Sequence, residues 1–224
     1  MTGSMLLYNE AGSSTTYRVR IALNLKKQEY ELKTLDIDQQ HHQSTEYLEL
    51  KPQGLIPLLV HATNDGDVKL TQSVAIMEYL EDILPHQGTR LLPDSPVARA
   101  RVRSLALHIA CEMQPLNNTR VTKHIKKELQ GDPETLRSWQ IHWAETGFTG
   151  LEKELQSPET GSFCHGDQPT MADCCLVPQV ALGVLLVTCC HCHTLAHARA
   201  DSGDFMWFTH CPVFWQVFRA ALQK

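Results

Sequence analysis

The hydrophobic period of this chain changes once, at a proline-rich break. Between Pro85 and Pro96 stand three prolines and one glycine, with neither a strand period nor a helix period. Before the break, short apolar runs alternate with helical patterns; after it, only the helical period is left. A chain that switches in this way folds as a small α/β part followed by an all-α part. Its 224 residues are enough for both. We expect one domain over 5–84, a linker over 85–96, and a helical domain over 97–224.

In the first part, Met5-Leu6-Leu7-Tyr8 reads as a buried strand, followed by a polar turn through Gly12, Ser13 and Ser14. A helix should begin near Thr15 or Thr16, with Val19, Ala22 and Leu23 on one face. Gln28 to Ile37 reads as a strand with Tyr30, Leu32 and Leu35 as its apolar set. Ser44 to Leu50 is a short helix and Leu55 to Val60 another buried strand. Asn64-Asp65-Gly66 marks a hairpin into Val68-Lys69-Leu70. Ser73 then caps a helix to about Leu84. The order is β-α-β-α-β-β-α.

In the second part, Val102, Leu105, Ala106, Ile109 and Met113 form the stripe of a long helix, bent or broken at Pro115. A second long helix starts after Asp132-Pro133 and buries Leu136, Trp139, Trp143, Leu151 and Leu155. Thr170-x-x-Asp173 has capping-box spacing and opens a third, containing Cys174 to Val180. Pro212 opens a last one, with Phe214, Val217, Phe218 and Ala221 on one side.

Composition narrows the function. Lysine and arginine total 20 against 25 acids, a net charge of −5, which suits neither nucleic acid nor an anionic membrane. No run of about 20 apolar residues is present to span a bilayer. The first ten residues lack a basic start followed by an apolar run, so no secretory signal is expected and the cytoplasm is the expected location. Seven of the 8 cysteines follow residue 160. Cys189-Cys190-His191-Cys192-His193 resembles metal-ligand material in composition, but the spacing is not that of a zinc site, and reduced thiols without metal are expected. His41-His42, Trp139, Trp143, Glu112 and Lys126-Lys127-Glu128 read as solvated faces or core.

Three short segments could carry chemistry. A proline inside a buried strand removes a ladder donor, so Ile56-Pro57 fits an edge whose free backbone meets a peptide-like ligand, in a cis or trans peptide. Gln72-Ser73 sits where a strand meets a helix N-terminus, which binds carboxylates; the plain alternative is an N-cap. Ser13-Ser14-Thr15-Thr16 places four hydroxyls at another helix start, as anion donors or as caps. No G-x-S-x-G elbow is present to make a serine nucleophile.

Together and in this order, these segments resemble the zeta-class glutathione transferases, which include maleylacetoacetate and maleylpyruvate isomerases. The resemblance lies in Ser13-Ser14-Thr15-Thr16-Tyr17-Arg18-Val19-Arg20-Ile21-Ala22-Leu23, Lys51-Pro52-Gln53-Gly54-Leu55-Ile56-Pro57, Gln72-Ser73, Gln114-Pro115-Leu116-Asn117-Asn118 and Ala172-Asp173-Cys174-Cys175-Leu176-Val177-Pro178-Gln179-Val180. It implies a thioredoxin-like N-terminal domain, an all-helical C-terminal domain, a homodimer, and glutathione as cofactor. It implies that Ser13, Ser14 and Thr15 face the thiol and are catalytic. Ile56 before a cis Pro57 would pair with the cysteinyl part, and Gln72 and Ser73 would hold the γ-glutamyl carboxylate. His42, Gln114 and Asn118 fall at further glutathione-side positions, and Arg18 and Arg120 at substrate positions. The implied reaction is cis-trans isomerisation of a maleyl-type dicarboxylate by reversible addition of the thiolate.

This chain departs from the pattern in three places. Thr15 stands where maleylacetoacetate isomerases usually carry cysteine, as in maleylpyruvate-type enzymes. Gly12 stands where an arginine is common, and Ala181 to Thr188 reads ALGVLLVT in place of an arginine pair. Beyond that point a divergent C-terminus and a shift of reading frame both fit. Two further functions are compatible with these losses: a glutathione transferase acting on α-halo acids, and a glutathione-binding protein with little turnover.

Overall fold

The structure, a computed structural model, describes residues 3–188. Two units follow one another along the chain, the first up to Pro93 and the second from Asp94. The Cys189–His193 cluster, the helix expected from Pro212 and the divergent stretch after Thr188 lie outside the described residues.

The first unit is built on strands β1 (Met5–Asn9), β2 (Glu31–Thr34), β3 (Leu58–Thr63) and β4 (Gly66–Thr71), in the spatial order β2-β1-β3-β4. β1 pairs parallel with β2 and antiparallel with β3, and β3 pairs antiparallel with β4. With helices α1 (Ser14–Leu25), α2 (Thr45–Leu50) and α3 (Ser73–Ile83), this is a thioredoxin-like domain of mixed sheet and helices. α1 packs against α3, and Val19, Ala22, Leu23, Ile76, Met77 and Leu80 are fully buried. Tyr8, Leu35, Tyr47 and Leu58 form a separate cluster that ties α2 to the sheet, with the two tyrosine rings 5.4 Å apart.

Two strands differ from the sequence reading. β2 spans only Glu31–Thr34, all four residues are exposed, and Leu32 is 45% exposed. As a sheet edge it has an uncovered face, and buried Leu35 lies beyond its end. β3 starts at Leu58 rather than Leu55 and lies between β1 and β4, not at an edge, so the cis Ile56-Pro57 pair precedes the ladder, where the missing proline N–H costs no ladder bond. The stretch after α3 is bound to the first unit. Lys26 Nζ reaches Glu81 Oε2 at 2.5 Å and the Leu84 carbonyl at 3.0 Å, while the Thr89 and Leu91 amides donate to the Leu25 carbonyl and Glu81.

The second unit comprises α4 (Pro96–Leu107), α5 (Thr119–Glu128), α6 (Pro133–Leu155) and α7 (Met171–Thr188) among the described residues. α4 passes into a π-turn over His108–Met113, and Pro115 opens a short 3-10 turn to Asn117. The expected break at Pro115 is there, but α5 is a helix of its own, so Arg120 does not lie on the long helix. Its sequence TRVTKHIKKE buries only Ile125, too little apolar surface to show a stripe. Gly147 permits close packing on α4's continuation: a Cβ there would stand 2.5 Å from Met113 Cγ. The box before α7 forms as read, with Asp173 Oδ2 accepting from the Thr170 N–H at 2.7 Å and hydroxyl at 2.8 Å, and Oδ1 accepting from the Cys164 N–H at 2.9 Å. Burial nevertheless pushes the Asp173 carboxyl up.

Candidate functional site

Ser13 caps α1. Its Oγ accepts from the Thr16 amide at 3.2 Å and the Thr16 hydroxyl at 3.0 Å, filling both lone pairs. The Ser13 proton is thereby directed to Thr15 Oγ1 at 2.9 Å, and Thr15 in turn donates to the Ile56 carbonyl at 3.2 Å. The hydroxyls of Thr16, Ser13 and Thr15 thus run as one chain of donors that ends on the cis-proline loop. Ser14, the first residue of α1, is half-buried and its hydroxyl takes no part. The four hydroxyls therefore divide: three build the turn, and Ser14 is left at the helix N-terminus, where partial positive charge favours an anion.

The cis-proline loop is held from several sides. Gln43 Nε2 donates to the Gly54 carbonyl at 3.2 Å, Tyr47 Oη to Leu55 at 2.8 Å, Thr15 to Ile56, and Lys51 Nζ to Pro57 at 2.7 Å. Four consecutive carbonyls are each engaged by a side chain. Among the described residues the Ile56 N–H has no partner. Gly54 has φ +58°, and a Cβ there would meet Gln43 Nε2 at 2.4 Å, so glycine is required at this turn. Burial pushes the Lys51 amine down to about 8 and the Tyr47 phenol well above its ordinary range. His42, in the 3-10 turn before α2, keeps a buried Nδ1 without a partner.

A second cluster stands at the start of α3. Gln72 holds φ 67° and is exposed, while Ser73 is buried as the first residue of the helix. Ser73 Oγ accepts from Arg18 Nη1 at 3.4 Å. Arg18 is 1% exposed. That depth corrects its expected role: a guanidinium sealed in this way does not itself reach a second substrate. Thr15 and Arg18 are one turn apart on α1, so one helix supplies the donor to the cis-proline loop and the cation beneath Ser73.

In the second unit, Gln114 follows the π-turn and Asn118 caps α5, accepting from the Arg120 amide at 3.1 Å. Asn117 and Trp139 fasten this segment to α6 by hydrogen bonds to Gln140 and Leu116 carbonyls, at 3.0 and 2.9 Å. Arg120 is exposed. The structure thus brings Ser13, Thr15 and Ile56 together, and separately Arg18 and Ser73, whereas Gln114, Asn118 and Arg120 form a segment of the other unit. Sequence reasoning missed the parts of Gln43, Tyr47 and Lys51. A lysine at the head of a Pro-Gly loop was the available signal.

The family described as "Glutathione S-transferase, N-terminal domain" matches residues 3–82. The maleylacetoacetate isomerase of Rhizobium meliloti is 42% identical over 180 residues, covering 80% of this chain and 82% of that protein. A solved holo structure of a maleylpyruvate isomerase, described as a bacterial zeta-class glutathione S-transferase, is 34% identical. It covers 93% of this chain and 97% of its own, with a TM-score of 0.75. The maleylacetoacetate isomerase of Methylobacterium extorquens, solved with malonate and glutathione bound, is 33% identical. Its coverage is 98% and 97%, with a TM-score of 0.77.

Proposed function

Because the chain belongs to the zeta class of the glutathione transferases, the family of the maleylacetoacetate and maleylpyruvate isomerases, we propose that it is a glutathione-dependent cis-trans isomerase of a maleyl-type dicarboxylate. One observation carries the reading: a cis-proline loop with four held carbonyls and an unpartnered Ile56 N–H, facing the hydroxyl turn of α1 through Thr15. A rigid loop with one spare donor pairs with the backbone of a peptide thiol. The buried, unpartnered Nδ1 of His42 fits a polar group of such a peptide.

Bound glutathione supplies a thiolate that adds reversibly to the cis double bond, lets it rotate as a single bond, and leaves again with the trans isomer formed. The chain's residues prepare that thiolate. A free thiol has a pKa of about 8.5, and the N-terminus of α1 with the Ser14 hydroxyl lowers it by donating to the charged form. Ser13 and Thr15 keep the turn and the loop in register. Ile56 N–H accommodates the cysteinyl carbonyl, Gln72 and Ser73 the γ-glutamyl carboxylate, and His42, Gln114 and Asn118 further polar groups of the tripeptide. Arg120 is assigned to a substrate carboxylate. A homodimer in the cytoplasm completes the proposal, on the strength of the family likeness.

The test is spectrophotometric isomerisation of maleylacetoacetate and maleylpyruvate, each with and without glutathione. Turnover that requires glutathione is the expected result. Glutathione binding with turnover of neither substrate would remove the isomerase reading.

A further inference from the structure

Glu10 stands between β1 and α1, in the turn that leads to the Ser13 cap. Its side chain folds back onto that turn. Oε1 accepts from the Gly12 N–H at 2.8 Å, while the Glu10 carbonyl accepts from the Ser13 N–H at 3.1 Å. Gly12 brings no side chain, and the carboxylate takes the room beside it: a Cβ there would stand 3.3 Å from Oε1 and 3.6 Å from Oε2. Glu10 is half-buried, and among the described residues no cation pairs with it and its Oε2 has no hydrogen-bond partner. The turn that ends at Ser13 and Ser14 therefore carries a fixed negative charge with one idle acceptor.

The positive end of a helix such as α1 is worth about half an elementary charge, and a full carboxylate just ahead of it outweighs that. The thiolate has the Ser14 hydroxyl as a direct donor, but a second anion at this turn would meet Glu10. A cis double bond carries its two substituents on adjoining carbons, so both lie within a few bonds of the attacking sulfur and one of them comes to the turn. We propose that Glu10 is a specificity-determining residue: the substituent facing the turn is a neutral hydrogen-bond donor, a carboxamide N–H or an enol O–H, which Oε2 accepts, and not a second carboxylate. This rests on the isomerase reading above and narrows it to maleyl-type compounds with one neutral donor end. The reaction is the same one. The sulfur–carbon bond forms as the π pair moves to the acyl oxygen and breaks as the pair returns, with glutathione recovered and no proton lost.

The test uses the whole protein turning over maleylpyruvate or maleylacetoacetate with saturating glutathione, in the presence of either of two unreactive competitors. Succinate and succinamate have no double bond and differ at one end only, carboxylate against carboxamide. Succinamate should inhibit wild type at least about fivefold more tightly than succinate. Glu10→Gln removes the charge and keeps an oxygen for the Gly12 N–H, so its melting temperature should move little. It should bring the two inhibition constants within about twofold of each other, mainly by tightening succinate. Ultraviolet titration should also show a lower pKa of the bound glutathione thiol in Glu10→Gln, because a neighbouring negative charge is gone. Wild type that takes succinate as tightly as succinamate, a ratio unchanged in Glu10→Gln, or a thiol pKa that does not move would each overturn the role. So would equal weakening of both competitors, which would make Glu10 a support of the turn alone. In each of these cases glutathione-dependent turnover leaves the isomerase reading standing; wild type that turns over neither maleyl compound removes both.

Discussion

Thr15 Oγ1 donates to the Ile56 carbonyl at 3.2 Å, across 41 residues of sequence, and joins the first helix to the cis-proline loop. The Thr15 position therefore holds the loop as well as the helix start. Its hydroxyl accepts a hydrogen bond from Ser13 and donates one to the loop. Thr15→Val keeps the volume and breaks both links. A neutral hydrogen bond contributes about 0.5–1.5 kcal/mol, so glutathione affinity should fall severalfold, up to about tenfold. Thr15→Ser should restore most of it. Calorimetry on the two variants checks this, and equal behaviour would dissociate the bond from binding.

Ser13 and Ser14 should separate in their effects. Ser13→Ala removes an N-cap and should cost about 1 kcal/mol of stability, read as a lower melting temperature. Ser14→Ala should leave stability alone, raise the pKa of bound glutathione and lower kcat, with little change in its dissociation constant. Ultraviolet titration of the bound thiolate reads this directly. An unchanged thiolate pKa in Ser14→Ala would move the donor role back to Ser13 or Thr15.

Ser73→Ala should weaken glutathione about tenfold, the worth of a charge-assisted hydrogen bond of ~1.5–3 kcal/mol. Cys174→Ala should not. Cys174 is fully buried within α7 and its thiol is pushed well above the ordinary range by burial, so it remains neutral and inert toward ligands. A titration in which the two variants behave alike would end the assignment of Ser73.

What could be read from the sequence follows how local each signal is. The hydroxyl turn, the hairpin at Asn64-Asp65-Gly66 and the Thr170–Asp173 box are encoded within a few residues, and each stands where it was expected; Pro57, expected within an edge strand, instead precedes the inner strand β3. The Thr15–Ile56 and Arg18–Ser73 contacts span 41 and 55 residues, and no local pattern announces them. Arg18 on a helix beside Arg20 reads as an ordinary polar position; only tertiary packing seals it. β2 misled for the opposite reason: of Tyr30, Leu32 and Leu35 only Leu32 falls within the strand, where it is exposed at the sheet edge, while Leu35 is buried beyond its end. α5 escaped notice because its charged sequence is held by the Asn118 cap and by Ile125 alone.

Arg120 should act on the substrate and spare glutathione. Gly12 and the stretch Ala181 to Thr188 supply no cation, while a dicarboxylate brings two charges, for which an arginine fork is the natural partner. Arg120 is exposed, and its backbone, not its side chain, is used by the Asn118 cap. Arg120→Met should therefore raise KM for maleylacetoacetate or maleylpyruvate severalfold and leave an uncharged electrophile such as a chloronitrobenzene nearly unaffected. Parallel losses on both kinds of substrate would place Arg120 in support of the fold or of glutathione instead.

Lys51 predicts a pH signature of the cis-proline loop. Burial lowers its amine from 10.5 to about 8, so between those values the unfolded chain holds a proton that the folded chain has released. Stability should accordingly rise with pH from about 8 towards 10, while below about 8 the cost of burying the ammonium is present in full. Tyr47 acts in the opposite direction and later. Its phenol is raised by burial, so the folded state resists ionisation and loses stability only above the ordinary tyrosine value of 10.0. The window from 8 to 10 therefore belongs to Lys51 among these two groups. Lys51→Met loses the bond to the Pro57 carbonyl but also the titration, and its unfolding free energy in urea should be flat where the wild-type value climbs, by an amount on the order of 1–3 kcal/mol. Denaturant titrations of both proteins at several pH values across that window check the difference. Equal slopes would mean that the Lys51 amine titrates at its ordinary pH and that the loop is open to water there.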